Sequence, residues 1–137
     1  MKYIMSKLLI LDNSTDLLYA LKFFFERNGY NAKTLSRGCD LIPEVKSFNP
    51  DVVMLDVNVN GYDGKEICKM LRNDAETKQL GILITSASPA KLQDYKQYMA
   101  DDFIEKPFDL DILEQKVRGM IAWLPTRNPA HNEFAYK

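Results

Sequence analysis

Residues 49–64 read NPDVVMLDVNVNGYDG, and this stretch decides how the rest of the chain is parsed. Asn49-Pro50-Asp51 has turn composition. Val52-Val53-Met54-Leu55 is a continuous apolar run closed by Asp56, the pattern of a strand buried on both faces of a parallel sheet. Gly61 and Gly64 punctuate the following loop. Lys65–Asn73 then changes to helical spacing, with Ile67, Cys68, Met70 and Leu71 as its apolar residues. A buried strand that ends in an acid and passes into a helix is one βα unit.

Outward from this stretch the unit repeats. Lys7–Leu11 (KLLIL) is a second such run and ends at Asp12. Asp16–Asn28 places Leu17, Leu18, Leu21, Phe24 and Phe25 on one side of a helix, with Ser14 or Thr15 to cap it and Gly29 to end it. At least one ring of Phe23-Phe24-Phe25 cannot face a sheet. A strand is predicted at Asn31–Leu35 and a short helix around Cys39–Phe48, where Pro43 is tolerated only in the first turn. Ile82–Ile84 gives a fourth strand, Lys91–Met99 a helix and Phe103–Glu105 a fifth strand. Asp109–Trp123 is the last helix, capped by Asp109, with Ile112, Leu113, Val117, Met120 and Ile121 facing inward. Five β–α alternations predict an open parallel sheet with helices on both faces.

Composition agrees with that class. The chain's 137 residues suit one domain, and 46% apolar with 27% charged residues argues against disorder or a fibrous repeat. Eighteen Lys plus Arg against 19 acids, net −1, give no strong field toward nucleic acid or an anionic membrane. Cys39 and Cys68 fit neither zinc-ligand nor CxxC spacing and are expected to be reduced thiols, buried or half-buried. The apolar run in MKYIMSKLLILD is too short to span a bilayer, so a cytoplasmic protein is expected.

Open parallel sheets bind ligands beyond the carboxyl ends of their strands. That rule gathers Asp12-Asn13, Asp56, Thr85-Ser86 and Glu105-Lys106-Pro107 on one edge. Neighbouring carboxylates repel unless a cation lies between them, and Mg²⁺ favours one or two carboxylates plus phosphate oxygens. A lysine there can neutralise a transferring phosphoryl group, and a small hydroxyl can bond one of its oxygens. Asp56 would then be the nucleophile, forming an acyl phosphate.

At these residues the sequence resembles the receiver domain of two-component response regulators. The matching segments are LLILDNSTD, NPDVVMLDVNVNGYDG, ILITSAS and ADDFIEKPF, and the resemblance spans Lys7 to Ile121. It implies an α/β, flavodoxin-like fold with five parallel strands in the order 2-1-3-4-5, a receiver domain over residues 5–123 and a short flexible tail over 124–137. By position, Asp56 corresponds to the phospho-acceptor, Ser86 to the switch hydroxyl, Lys106 to the phosphate-binding lysine and Phe103 to the switch aromatic. Lys106-Pro107 corresponds to the family's cis-peptide site.

The resemblance further implies Mg²⁺ held by Asp12, Asp56 and the backbone carbonyl of Asn58, with Asn13 as an additional ligand. Asn58 and Ser88 occupy positions that tune acyl-phosphate lifetime. The implied phosphodonor is a histidine kinase or histidine phosphotransferase. The implied output is contact with a downstream protein through the face of the fourth helix, fifth strand and fifth helix. Direct DNA binding, membrane association and enzymatic turnover are not expected, and the protein would be a monomer or a phosphorylation-dependent dimer.

Three departures qualify the match. Asn13 stands where the family usually has a second acid, so the site carries one negative charge fewer. Weaker Mg²⁺ binding and slower phosphorylation are expected, and a receiver-like interaction module with little or no phosphorylation stays open. Asn60 replaces a common proline, and Ser86 replaces the commoner threonine. Asn58 stands where an aspartyl-phosphate hydrolase needs its general acid, and Asn13-Ser14-Thr15-Asp16 lacks the glycine of an FMN phosphate loop. In the tail, Pro125 and Pro129 stop the helix, His131 carries no expected role, and Phe134 and Tyr136 are candidate docking anchors. So short a tail leaves no room for a helix-turn-helix output, which predicts signalling through protein contacts.

Overall fold

A computed structural model describes residues 5–58 and 62–123. Asn60, Gly61 and the whole of 124–137 lie outside the described residues. The elements in chain order are β1 (Lys7–Leu11), α1 (Thr15–Arg27), β2 (Asn31–Leu35), α2 (Leu41–Phe48), β3 (Val52–Asp56), α3 (Gly64–Asn73), β4 (Gly81–Ser86), α4 (Pro89–Leu92), β5 (Asp102–Glu105) and α5 (Leu110–Trp123). All strand pairs are parallel, in the order β2-β1-β3-β4-β5. The expected flavodoxin-like arrangement is therefore present. Because β1 has β2 on one side and β3 on the other, the winding reverses at β1 and opens a crevice beyond its end.

Alternate residues of the central strands feed two cores, which is why the strands read as unbroken apolar runs. Leu8, Ile10, Met54 and Leu83 pack with Leu18, Leu21 and Phe25 of α1 and with Leu113, Val117, Met120 and Ile121 of α5. On the other face Leu9, Leu11, Val53, Leu55, Ile82 and Ile84 pack with Leu41 and Val45 of α2, Ile67, Cys68 and Leu71 of α3, and Leu92 of α4. Each fully buried leucine contributes about 1.5–3 kcal/mol, so the sheet edges that carry the polar residues are rigidly based.

Local signals act as expected at several boundaries. Ser14 caps α1, its hydroxyl accepting the Leu17 N–H at 3.2 Å, and Gly29 follows the helix at φ +89°, where a side chain would be strained. Pro43 falls in the first turn of α2, preceded by a 3₁₀ turn at Gly38–Asp40. Asp109 caps α5, accepting the N–H groups of Asp111 and Ile112 at 2.8 and 3.2 Å. Phe23 is the outward ring of its trio, lying under the Arg27 guanidinium.

Three expectations are corrected. The helix at Lys91–Met99 is one α turn, Pro89–Leu92, continued by three-residue turns such as Tyr95 N–H to Leu92 O and Tyr98 N–H to Tyr95 O, both 3.1 Å. The inward residues Leu92, Tyr95 and Tyr98 are spaced by three, which suits three residues per turn better than 3.6. The segment closes at Met99, φ +58°. Ile112 is half exposed because it precedes Leu113 by one residue, a rotation of about 100° off the buried stripe. Met70 is turned outward from the Ile67, Cys68 and Leu71 stripe for the same reason.

The third concerns the thiols. Both are free, but Cys39 is exposed in the 3₁₀ turn while Cys68 is buried. Burial pushes the Cys68 thiol up to about 12. Iodoacetamide treatment of the folded protein near neutral pH should modify Cys39 alone, as peptide mapping would reveal. Comparable modification of Cys68 would contradict this packing.

Candidate functional site

Asp12 follows β1, and its N–H extends the ladder by bonding Leu35 O at 3.1 Å. Its Oδ1 accepts the Ser14 N–H at 2.9 Å, the turn that admits α1. Asp56 ends β3 opposite Thr85, and its Oδ1 accepts the Asn58 N–H at 2.8 Å. Lys106 follows β5, fixed by its N–H to Ser86 O at 2.9 Å, and the next peptide, Lys106–Pro107, is cis. Its ammonium donates to Asp12 Oδ2 at 2.5 Å and to Asp56 Oδ2 at 2.7 Å.

Asp12 and Asp56 are only 2% and 5% exposed, so two carboxylates share one ammonium in a nearly dry crevice. A pair of buried acids is tolerable only with such a partner. Burial pulls the Lys106 pKa down, and the hydrogen bonds and charges of both aspartates outweigh it, so the net movement is upward. Lys106 is therefore charged across the neutral range.

The carboxamides lie at the same mouth. Asn13 Nδ2 donates to the Asn58 carbonyl oxygen at 3.2 Å. Asn58 Nδ2 donates to Ser86 Oγ at 3.0 Å, and Ser86 Oγ also accepts the Ser88 N–H at 3.0 Å. Ser86 is fully buried at the end of β4, while Asn13 and Asn58 are exposed. The structure thus brings together Asp12, Asn13, Asp56, Asn58, Ser86, Ser88 and Lys106. Phe103 sits apart on β5, half-buried against Tyr95 with ring centroids 4.8 Å apart, and with the Lys116 ammonium over its face.

Two participants escape sequence reading. The Tyr62 hydroxyl donates to the Asp56 carbonyl oxygen at 2.9 Å. Its ring lies so close over Gly38 that a Cβ there would come within 2.0 Å of it. Burial, with the Asp56 charge second, holds the phenol above its ordinary pKa, so it remains a donor. The other is Lys91, whose ammonium donates to Asn58 Oδ1. An aromatic inside a glycine-bounded loop and a lysine on a surface helix carry no distinguishing pattern.

The oxygens of Asp12 and Asp56, the Asn58 carbonyl and the Asn13 carboxamide make an all-oxygen donor set of the kind a hard divalent ion takes. Among the described residues, no cluster of three or more His, Cys, Asp or Glu side chains offers an alternative metal site. Also among them, no helix is long and apolar enough to cross a membrane.

Comparison with known proteins agrees with this geometry. The family model for the response regulator receiver domain matches residues 8–118, and the chain belongs to that family. It is 30% identical over 138 residues to the transcriptional regulatory protein YxdJ of Bacillus subtilis, covering 97% of this chain and 55% of that protein. It is 27% identical over 120 residues to the protein PilH of Pseudomonas aeruginosa, covering 86% of this chain and 99% of PilH. The chain thus spans about half the length of some curated relatives and nearly all of another. Among solved structures, the signal receiver domain of a Bermanella marisrubri response regulator superposes with TM-score 0.79 at 27% identity, over 86% of this chain and 99% of that one. The chemotaxis response regulator CheY4 of Vibrio cholerae gives TM-score 0.78 at 26% identity, over 85% and 99%. Receiver domains are signalling modules that bind Mg²⁺ at their phosphorylation site and interact with histidine kinases or phosphotransferases.

Proposed function

We propose that this chain is a receiver that accepts a phosphoryl group on Asp56 from a phosphohistidine of a histidine kinase or phosphotransferase. The observation that carries the reading is the pairing of two buried carboxylates through the Lys106 ammonium at the crevice where the sheet's winding reverses. A carboxylate oxygen of Asp56 attacks phosphorus, the new O–P bond forms, the N–P bond breaks, and the donor imidazole leaves. Lys106 stabilises the charge gathering on the phosphoryl oxygens, and the Ser86 O–H donates to one of them. Mg²⁺, when bound, neutralises charge between the carboxylates and the phosphoryl oxygens.

The donor docks on a depression of about 430 Å³ lined by Leu17, Ala20, Ala87, Lys106, Pro107 and Phe108. Output then runs through α4, β5 and α5 to a downstream protein by surface contact, in the cytoplasm, without DNA binding by residues 5–123 and without turnover. Phe103, already against Tyr95 in this face, turns inward as Ser86 moves toward the phosphoryl group. Asn58 and Ser88 set the lifetime of the acyl phosphate by controlling how water approaches. Phosphoryl incorporation that requires both Asp56 and Mg²⁺, and is abolished by EDTA, is the test.

Metal binding is expected to be weaker than in a site with two acids after β1. Asn13 brings no charge, and its Nδ2 donates to the Asn58 carbonyl that would be a ligand, so the cation would share that oxygen with a hydrogen-bond donor. Asn13→Asp should tighten Mg²⁺ binding roughly tenfold by titration calorimetry, about one charge-assisted contact. Equal affinities would contradict this role. The same Asn13–Asn58 bond, which closes the site without a cation, favours a second reading, an interaction module that is seldom phosphorylated. Failure of the wild type to gain a phosphoryl group when Asn13→Asp does so would select it.

A further inference from the structure

The Asn58 carboxamide is held at both ends. Its Oδ1 accepts the Lys91 ammonium, and its Nδ2 donates to Ser86 Oγ at 3.0 Å. The orientation follows from the partners: an ammonium only donates, so it faces Oδ1 and leaves Nδ2 for the hydroxyl. Ser86 Oγ accepts a second bond from the Ser88 N–H, so both of its acceptor positions are engaged while its proton can still be donated. Lys91 lies on the single α turn of α4. One amide therefore joins the loop after β3, the end of β4 and the start of α4.

We propose that Lys91 is a positioning residue that acts through Asn58 to hold Ser86 in its unphosphorylated place and ties α4 to the state of Asp56. This rests on the reading of Asp56 and Ser86 given above. Three phosphoryl oxygens on Asp56 compete for the Ser86 O–H. Movement of Ser86 toward them breaks the bond from Asn58 Nδ2, frees the carboxamide to turn, and releases Lys91. Beyond Leu92 the segment is held by single three-residue turns, so it has little helical cooperativity with which to resist the release. Loss of the latch thus reaches Tyr95, which packs against Phe103.

Lys91 is exposed, so Lys91→Ala should fold with nearly unchanged thermal midpoint. In the unphosphorylated, Mg²⁺-free protein it should shift the Asn58 side-chain amide resonances and speed their exchange with solvent, and Lys91→Arg should restore both. With acetyl phosphate and Mg²⁺, Lys91→Ala should gain the phosphoryl group about two to five times faster, the effect of losing one exposed charge-assisted bond. In an Asn58→Ala background the same substitution should change nothing. Equal acceleration in both backgrounds, or an Asn58 amide indifferent to Lys91, would overturn the proposal. If the wild type takes no phosphoryl group while the Asn58 resonance still follows Lys91, the reading of Asp56 fails, and the switching role of Lys91 falls with it.

Discussion

Replacing Lys106 with methionine should slow phosphoryl gain at Asp56 at least about a hundredfold, the usual consequence of deleting one group that stabilises developing charge. The side chain keeps its length and bulk, so the loss isolates the ammonium that donates to Asp12 Oδ2 and Asp56 Oδ2. It should also destabilise the fold at neutral pH. Removing one partner of a buried ion pair costs about 3–5 kcal/mol, and the partial exposure of Lys106 reduces the expectation to about 2–4 kcal/mol. In the wild type a raised ammonium pKa contributes stability that is fully present below the ordinary lysine value of 10.5 and is lost as pH climbs through the raised value. Denaturant titrations of both proteins from neutral to alkaline pH check both statements. Wild-type phosphorylation and stability in the variant would sink the assigned role.

Arg72→Ala should lower stability by about 2–4 kcal/mol without altering the phosphorylation chemistry directly. The guanidinium donates to Met99 O at 2.9 Å, Lys78 O at 2.9 Å, Leu80 O at 2.6 Å and Asp101 Oδ2 at 2.9 Å. Asp101 Oδ2 in turn accepts the Ile82 N–H at 2.8 Å. One side chain on α3 thereby pins the loop before β4 and the left-handed turn before β5. Arg72→Lys should recover less than half of the loss, because a compact ammonium cannot serve carbonyls in these several directions. Thermal unfolding gives the magnitude, and amide exchange should rise first around residues 99–102. Unchanged stability in Arg72→Ala would show that water satisfies these carbonyls equally well.

The sheet was legible because strands buried on both faces leave no room for polar residues, so KLLIL and VVMLD announce themselves. Asp12 and Asp56 were legible because an acid directly after such a run lies at a sheet edge. The extent of α4 was not, since Leu92, Tyr95 and Tyr98 satisfy a three-residue turn while Met99 completes a helical stripe on paper. Ile112 and Met70 mark the same weakness, apolar residues adjacent to a stripe that packing leaves outside. Tyr62 and Lys91 depend on where the loop after β3 meets Gly38 and α4, contacts far apart in sequence. Asn13 was legible as a missing charge but not as a donor to the Asn58 carbonyl, since that bond requires the loop's position.

The proposed site performs one reaction at one carboxylate, and intact-mass spectrometry after incubation with Mg²⁺ and acetyl phosphate measures it directly. The wild type should gain the mass of a single phosphoryl group, and Asp56→Asn should gain none under the same conditions. A wild type that stays unmodified, or an Asp56→Asn variant modified to the same extent, would contradict the assignment of Asp56 as phospho-acceptor.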